Sequence, residues 1–227
     1  MADAQHSLTT RARLRFGSAR TPGSLAARTR ARRWQMFLAG FPDLREMRVL
    51  DLGGTHFTWR DAPVRPREVV LVNIQPQRSE FDWITTLVAD ACALPPEVTS
   101  QHFDLVYSSS VIEHVGGHAR REAFAEAIRG SAERYWVQTP YRYFPIEPHW
   151  LCPGFQFLPV ATRAAVTRRW KLGHRRAPRH PVDVAVSKVL DVELLSKTEM
   201  QHYFPDAQIL PERLLGLVKS LIAMKKS

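Results

Sequence analysis

The chain has 227 residues, 44% of them hydrophobic, and a net charge of +10; this suits one large domain, or one domain with an appendage, and is too apolar for wholesale disorder. No apolar run approaches the ~20 residues that span a bilayer, and the opening "MADAQHSLTTRARLRF" never builds the apolar centre of a signal peptide. The two cysteines, Cys92 and Cys152, make neither a disulfide framework nor a zinc pattern, so the expectation is a cytoplasmic protein without a metal site.

Residues 1–22 read as a flexible arm and residues 23–40, "GSLAARTRARRWQMFLAG", as a helix. Ser24 is placed to cap it, Leu25, Trp34 and Phe37 give it apolar contacts, and Gly40 closes it. The positive charge has two locations. Residues 1–48 hold ten arginines against three acids, and residues 161–181 hold seven basic residues and no acid, which leaves the rest of the chain at −4. Such segments suit nucleic acid, phosphates or an anionic membrane surface. A solvated arginine-rich face accounts for them more simply, and an arginine-rich, acid-poor start also resembles an organelle transit peptide.

Strand and helix signals alternate from residue 47 onward. "MRVLDL" (47–52), "REVVLVNI" (67–74), "ITTLVAD" (84–90), "FDLVYSS" (103–109) and "RYWVQTP" (134–140) read as strands, with a helix at 119–131. The second is a near-continuous β-branched run, as expected for a strand covered on both faces of a parallel sheet. Residues 141–195 break the rhythm with prolines, aromatics and arginines. A helix follows at 196–204, where Ser196 and Glu199 make a capping-box pattern, and residues 207–224 read as two strands around a short connection. The expected fold is an α/β, Rossmann-like, doubly wound and mostly parallel sheet with an antiparallel C-terminal hairpin. Its expected organisation is an arm and helix over 1–46 and a main domain over 47–227, with residues 141–195 inserted as a lid.

Ligands of such sheets sit beyond the carboxyl ends of the strands. The first strand ends at Asp51, Gly53 and Gly54, the second at Asn73, the third at Asp90 and Ala91, and the fourth at "SSSVIEHV", which holds Ser108, Ser109 and the pair Glu113 and His114. Glycine lets backbone approach a ligand closely, Asn suits a ribose hydroxyl, and Asp90 suits an amino group or a helix N-cap.

The run "VLDLGG", "VVLVNI", "LVADACALP", "FDLVYSSSVIEHV" resembles the class I S-adenosylmethionine-dependent methyltransferases of the small-molecule type. The resemblance covers residues 47–140 and 196–224. It implies that Asp51, Gly53 and Gly54 approach the methionine part of the cofactor, with Asp51 directed to its amino group directly or through water. It likewise puts Asn73 at the ribose, Asp90 and the Ala91 backbone at the adenine, and Ser108 to Ser110, Ser109 among them, on the methionine side. Two departures stand out: Thr55 and His56 occupy places usually held by glycine, and Asn73 stands where an acid is usual.

The inserted segment should select the acceptor. Tyr141, Tyr143, Phe144, Trp150, Phe155 and Phe157 supply flat apolar surface for a sugar, an aromatic ring or a lipid. Glu147 and His149 are its polar pair: His149 suits the proton of an acceptor hydroxyl, with Glu147 orienting it, and tying down the proline-rich loop is the other use of the same two residues. His114, beside Glu113 at the start of the helix after strand four, is a second candidate base, although a structural role suits the pair better, and Glu113 there would favour the helix dipole. Residues 160–171 could form a basic amphipathic helix, with Val160, Ala164 and Trp170 inward, for an anionic or lipid-linked acceptor. The reading is methyl transfer from S-adenosylmethionine to a small-molecule hydroxyl, of a sugar or secondary metabolite. A nucleic-acid methyltransferase using the basic arm, disfavoured by the lack of an "NPPY"- or "DPP"-like stretch, and a non-catalytic cofactor-binding protein stay open.

Overall fold

The computed structural model describes residues 25–170, 173, 175 and 180–227. The arm over 1–22, the Ser24 cap, the Leu25 side chain, His174 and most of the basic stretch from 171 to 179 lie outside the described residues. In chain order the elements are α1 (Leu25–Gly40), β1 (Arg48–Leu52), α2 (His56–Arg60), β2 (Glu68–Asn73), β3 (Ile84–Val88), α3 (Pro96–Thr99), β4 (Leu105–Ser109), α4 (His118–Ser131) and β5 (Tyr135–Pro140). A short pair, β6 (Ile146–Glu147) and β7 (Cys152–Pro153), precedes α5 (Val160–Arg169), α6 (Val182–Leu190), α7 (Lys197–Tyr203), β8 (Gln208–Leu214) and β9 (Leu217–Lys225).

The chain divides into two compact units. The first, residues 34–141 and 193–227, is built on a seven-stranded sheet in the order β3-β2-β1-β4-β5-β9-β8. The first five of these strands run parallel, while β9 is antiparallel to both β5 and β8. The last turn is made by Leu215 and Gly216, both at positive φ, which suits the twist of a tight hairpin. Pro211 is tolerated within β8 because that strand is the sheet's edge.

Successive residues of a strand point to opposite faces, and each face of this sheet has its own core. Leu50, Leu52, Val70, Val72, Val106 and Val137 meet Phe124 and Ile128 of α4 and Met200 and Phe204 from α7 and its end. Val49, Val69, Leu71, Leu105, Tyr107 and Trp136 meet Trp34, Phe37 and Phe41, with Trp59 of α2. The aromatic side is tightly knit: Trp59 lies 5.1 Å from Tyr107, and Phe37 lies 5.3 Å from Tyr107 and 5.4 Å from Trp136 between ring centroids. Because Trp34 and Phe37 are part of this core, the boundary between the units falls inside α1, after Arg33.

The second unit contains residues 142–192 with the stretch ending at Arg33. Within it α5 and α6 pack around Ala164, Ala185 and Val186. The sequence reading had assigned no element to residues 182–190. No described helix is long and apolar enough to cross a membrane.

Candidate active site

The strand order reverses between β1 and its neighbours β2 and β4, so the carboxyl ends of these strands form the crevice where such sheets bind ligands. The first turn there is Gly53–Gly54. Gly53 has φ +79°, and a Cβ on it would lie 2.5 Å from a Val111 methyl. A Cβ on Gly54 would lie 2.0 Å from Asp51 Oδ2. Both positions therefore demand glycine, one for conformation and contact, the other for contact alone.

Asp51 is a residue of β1 on the aromatic side of the sheet and is fully buried. Its Oδ2 accepts the Trp59 indole N–H at 2.7 Å, while Oδ1 makes no hydrogen bond of good geometry. Burial pushes the carboxyl up to about 7, with the Trp59 indole and the Gly54 amide partly offsetting it. Asp51 lies beneath the glycine turn because the pleat directs alternate β1 side chains to the aromatic face of the sheet. His56 opens α2 with its ring 4.0 Å from Phe57, and its Nδ1 is buried without a partner among the described residues.

Asn73 accounts for the unusual residue at the end of β2. Its Nδ2 donates to the carbonyls of Gly53 at 3.1 Å and Gly54 at 2.8 Å, and its Oδ1 accepts the Gln75 N–H at 2.9 Å. A carboxylate could make only the last of these bonds. Asn73 holds the glycine turn to β2, a role that the sequence had not suggested.

Asp90 follows β3. Both its oxygens accept from Arg120 Nη2, at 2.9 and 2.8 Å, and Oδ1 also accepts the Cys92 N–H at 2.9 Å. Partial burial alone would raise its carboxyl, but the Cys92 amide and the Arg120 guanidinium outweigh this and hold it below the ordinary range. Arg120 itself is tethered to the Val115 carbonyl. The Ala91 side chain is buried in the core. Ile74 and Val88, at the ends of β2 and β3, are 66% and 61% exposed and add apolar surface at this rim.

At the end of β4, Ser108 is buried and donates to the Leu52 carbonyl at 2.9 Å, fixing β4 against β1. Ser109 and Ser110 donate to Gln138 Oε1 at 2.7 and 3.2 Å. Ser110 has φ +58°, an uncommon conformation for a residue with a Cβ and one that gathers at functional sites. Glu113 and His114 do not start a helix, contrary to expectation. They lie in a separate 3₁₀ turn, Ile112–His114, ahead of α4. Glu113 is buried and accepts the Thr139 hydroxyl at 2.9 Å; His114 Nε2 lies 4.0 Å from its other oxygen. A dipole role for Glu113 is replaced by a tie between the β4 and β5 ends.

In the second unit, Glu147 and His149 are both buried. Glu147 Oε1 is 2.6 Å from His149 Nδ1, and Oε2 accepts the Trp150 N–H at 2.8 Å. Glu147 therefore orients the imidazole and closes the loop at once. Trp150 and Phe155 are buried and stacked at 4.4 Å, which makes them part of this unit's own packing. Tyr143 and Phe157 are 57% and 56% exposed and stack at 6.1 Å, so these two offer the open aromatic surface. Phe144 is half-buried, and Tyr141 packs on the core of the first unit. In α5 Ala164 is buried and Val160 half-buried, and the Trp170 indole donates to the Trp150 carbonyl at 2.7 Å.

Trp59, Gln138 and Arg120 were missed in the sequence, since each acts through a partner brought in by the fold. Only Trp59, eight residues after Asp51, carried a local signal: a large aromatic in the short helix that follows the glycine turn.

Residues 50–130 match a family model described as a methyltransferase domain. No curated protein matches the sequence. Among solved structures, the chain is similar to the N-methyltransferase NodS from Bradyrhizobium japonicum WM9 in complex with S-adenosyl-L-homocysteine, with a TM-score of 0.51 at 12% identity over 87% of this chain and 86% of that one. It is similar to the CurJ carbon methyltransferase at 0.54 and 12%, over 97% of this chain and 59% of the other. Magnesium protoporphyrin IX methyltransferase from Synechocystis PCC 6803 with bound S-adenosylhomocysteine gives 0.50 and 11%, over 87% and 82%. At such identities these likenesses speak to the fold. With the strand order and the bare glycine turn at the switch point, the match identifies residues 50–130 as a methyltransferase domain.

Proposed function

We propose that the protein methylates a hydroxyl of a small-molecule acceptor, a sugar or a secondary metabolite. The observation that carries this reading is the buried Glu147–His149 pair. S-adenosylmethionine supplies a methyl group already activated by its sulfonium, so the protein's task is alignment and removal of the acceptor proton. Glu147 fixes Nδ1 of His149, and Nε2 takes the hydroxyl proton as the C–O bond forms and the C–S bond breaks. S-adenosylhomocysteine leaves.

For the cofactor, Gly53 and Gly54 give backbone approach at the methionine end, and Ser108 and Ser109 hold the β4 side. The buried Asp51 serves the methionine ammonium through the turn. Asn73 serves the ribose by setting the turn's position. Asp90, the Ala91 backbone and the apolar Ile74 and Val88 serve the adenine. Tyr143 and Phe157 offer the acceptor a flat face, and Arg163, Arg168 and Arg169 of α5 suit an anionic or glycosyl acceptor or a lipid surface carrying one. The cytoplasm is the proposed compartment, and residues 141–195 the proposed acceptor lid.

The test is transfer of labelled methyl to hydroxylated acceptors and to their deoxy and amino analogues. His149→Ala should slow transfer to a hydroxyl by roughly 10²-fold or more and remove the pH dependence attributed to the base, with S-adenosylhomocysteine affinity unchanged. Transfer that persists on the deoxy analogue, or equal loss of transfer and cofactor affinity, would overturn the assignment. Binding of generic RNA that falls steeply with salt would favour a nucleic-acid substrate instead.

A further inference from the structure

We propose that His118, Glu122 and His202 form a surface site for a divalent transition ion such as Zn²⁺, which bridges α4 and α7. None of the three belongs to the methyl-transfer site. His118 and Glu122 are one turn apart on α4 and therefore share a face; His202 is on the last turn of α7. All three are exposed, and each offers one ligand atom, with those atoms within 4.8 Å of one another. His118 Nε2 is already 3.8 Å from Glu122 Oε2, and the two imidazole rings are 5.7 Å apart. Ligand atoms around tetrahedral zinc are separated by about 3.4 Å, from bond lengths near 2.1 Å, so rotations of exposed side chains close the site without moving a helix.

Orientation of a histidine ligand by a second hydrogen bond is what singles this cluster out. His118 Nδ1 lies 3.0 Å from the hydroxyl of the buried Tyr203. That contact occupies one ring nitrogen and leaves Nε2 as the one directed to Glu122, the arrangement that holds metal-bound histidines in a single tautomer. The seam is also rigid before any ion binds. Arg121, buried on α4, donates to Glu193 Oε2 at 2.6 Å, and the Ser196–Glu199 capping box fixes the start of α7. Two histidines and one carboxylate leave coordination positions to water, as suits a borderline ion such as Zn²⁺, Ni²⁺ or Co²⁺. An ion there would clamp α4 to α7 and raise stability by mass action.

The experiment uses the full chain, free of any affinity tag and stripped with chelator, titrated with zinc chloride by calorimetry and melted with and without zinc. Wild type should bind one equivalent and melt higher with zinc. His118→Gln and His202→Gln should each weaken binding more than roughly tenfold and abolish the shift, with the metal-free melting temperature unchanged. Tyr203→Phe, which keeps the ring in the core, should weaken binding by about tenfold. No saturable binding in wild type, or one equivalent that survives His202→Gln, would overturn the site. Unchanged affinity in Tyr203→Phe would remove the orienting role given to that hydroxyl.

Discussion

Asp51 is a buried carboxyl with one strong donor, and Asp51→Asn isolates what its charge does. Burial displaces it from an ordinary 3.8 to about 7, so between those values the folded protein holds a proton that the unfolded chain has released. Stability then falls as pH rises through this window. At ~1.4 kcal/mol for each pH unit of displacement, the full effect is about 4 kcal/mol. Between about pH 5.5 and about pH 8 the share expected is roughly 2 kcal/mol. Asn keeps the shape and an oxygen for the Trp59 indole but cannot ionise. Urea unfolding of both proteins at the two pH values gives the difference directly. Asp43, Asp90 and Asp206, all held low, contribute stability that is lost on acidification, and subtracting the two proteins removes them. The variant should gain about 2 kcal/mol relative to wild type at the higher pH; parallel pH dependences would refute a carboxyl titrating in this range.

The other site residues give sharper tests of the turn. Asn73→Asp replaces the donor with an acceptor facing the carbonyls of Gly53 and Gly54; it should destabilise by about 1–3 kcal/mol in urea unfolding and weaken S-adenosylhomocysteine binding in calorimetry, although an acid is usual at this place. Gly54→Ala should cost roughly 3 kcal/mol, and less in an Asp51→Ala background, because the added Cβ meets that carboxyl; a double-mutant cycle measures the coupling, and simple additivity would contradict it. Arg120→Ala removes a half-exposed ion pair, so stability should change by less than about 1 kcal/mol. Cofactor affinity should rise several-fold in calorimetry as Asp90 is released to an adenine amino group.

The sheet was legible because its signals are local. The β-branched run of β2 is buried at Val69 to Val72, and the Ser196–Glu199 capping box starts α7 as its spacing required. The glycine turn and the strand-end residues were likewise found at the switch point. What each side chain does there was not legible, because it depends on partners from other strands. Asp51 was assigned to the cofactor's amino group, directly or through water, and its bond with Trp59 could not be read from the strand alone. Asn73 was assigned to the ribose, and its bonds to the carbonyls of Gly53 and Gly54 depend on a neighbourhood that only the fold creates. Glu113 was read as a helix start, but Thr139 on β5 draws it into the interior. The absence of a local zinc pattern said nothing of His118 and His202, whose neighbourhood exists only once α4 and α7 pack.

The most direct test of the account is titration of the protein with S-adenosylhomocysteine, read by calorimetry and by melting temperature. Saturable one-to-one binding with a raised melting temperature, both lost in Gly54→Ala and kept in His149→Ala, is the predicted result. No heat and no shift at saturating ligand would contradict the cofactor site at the Gly53–Gly54 turn.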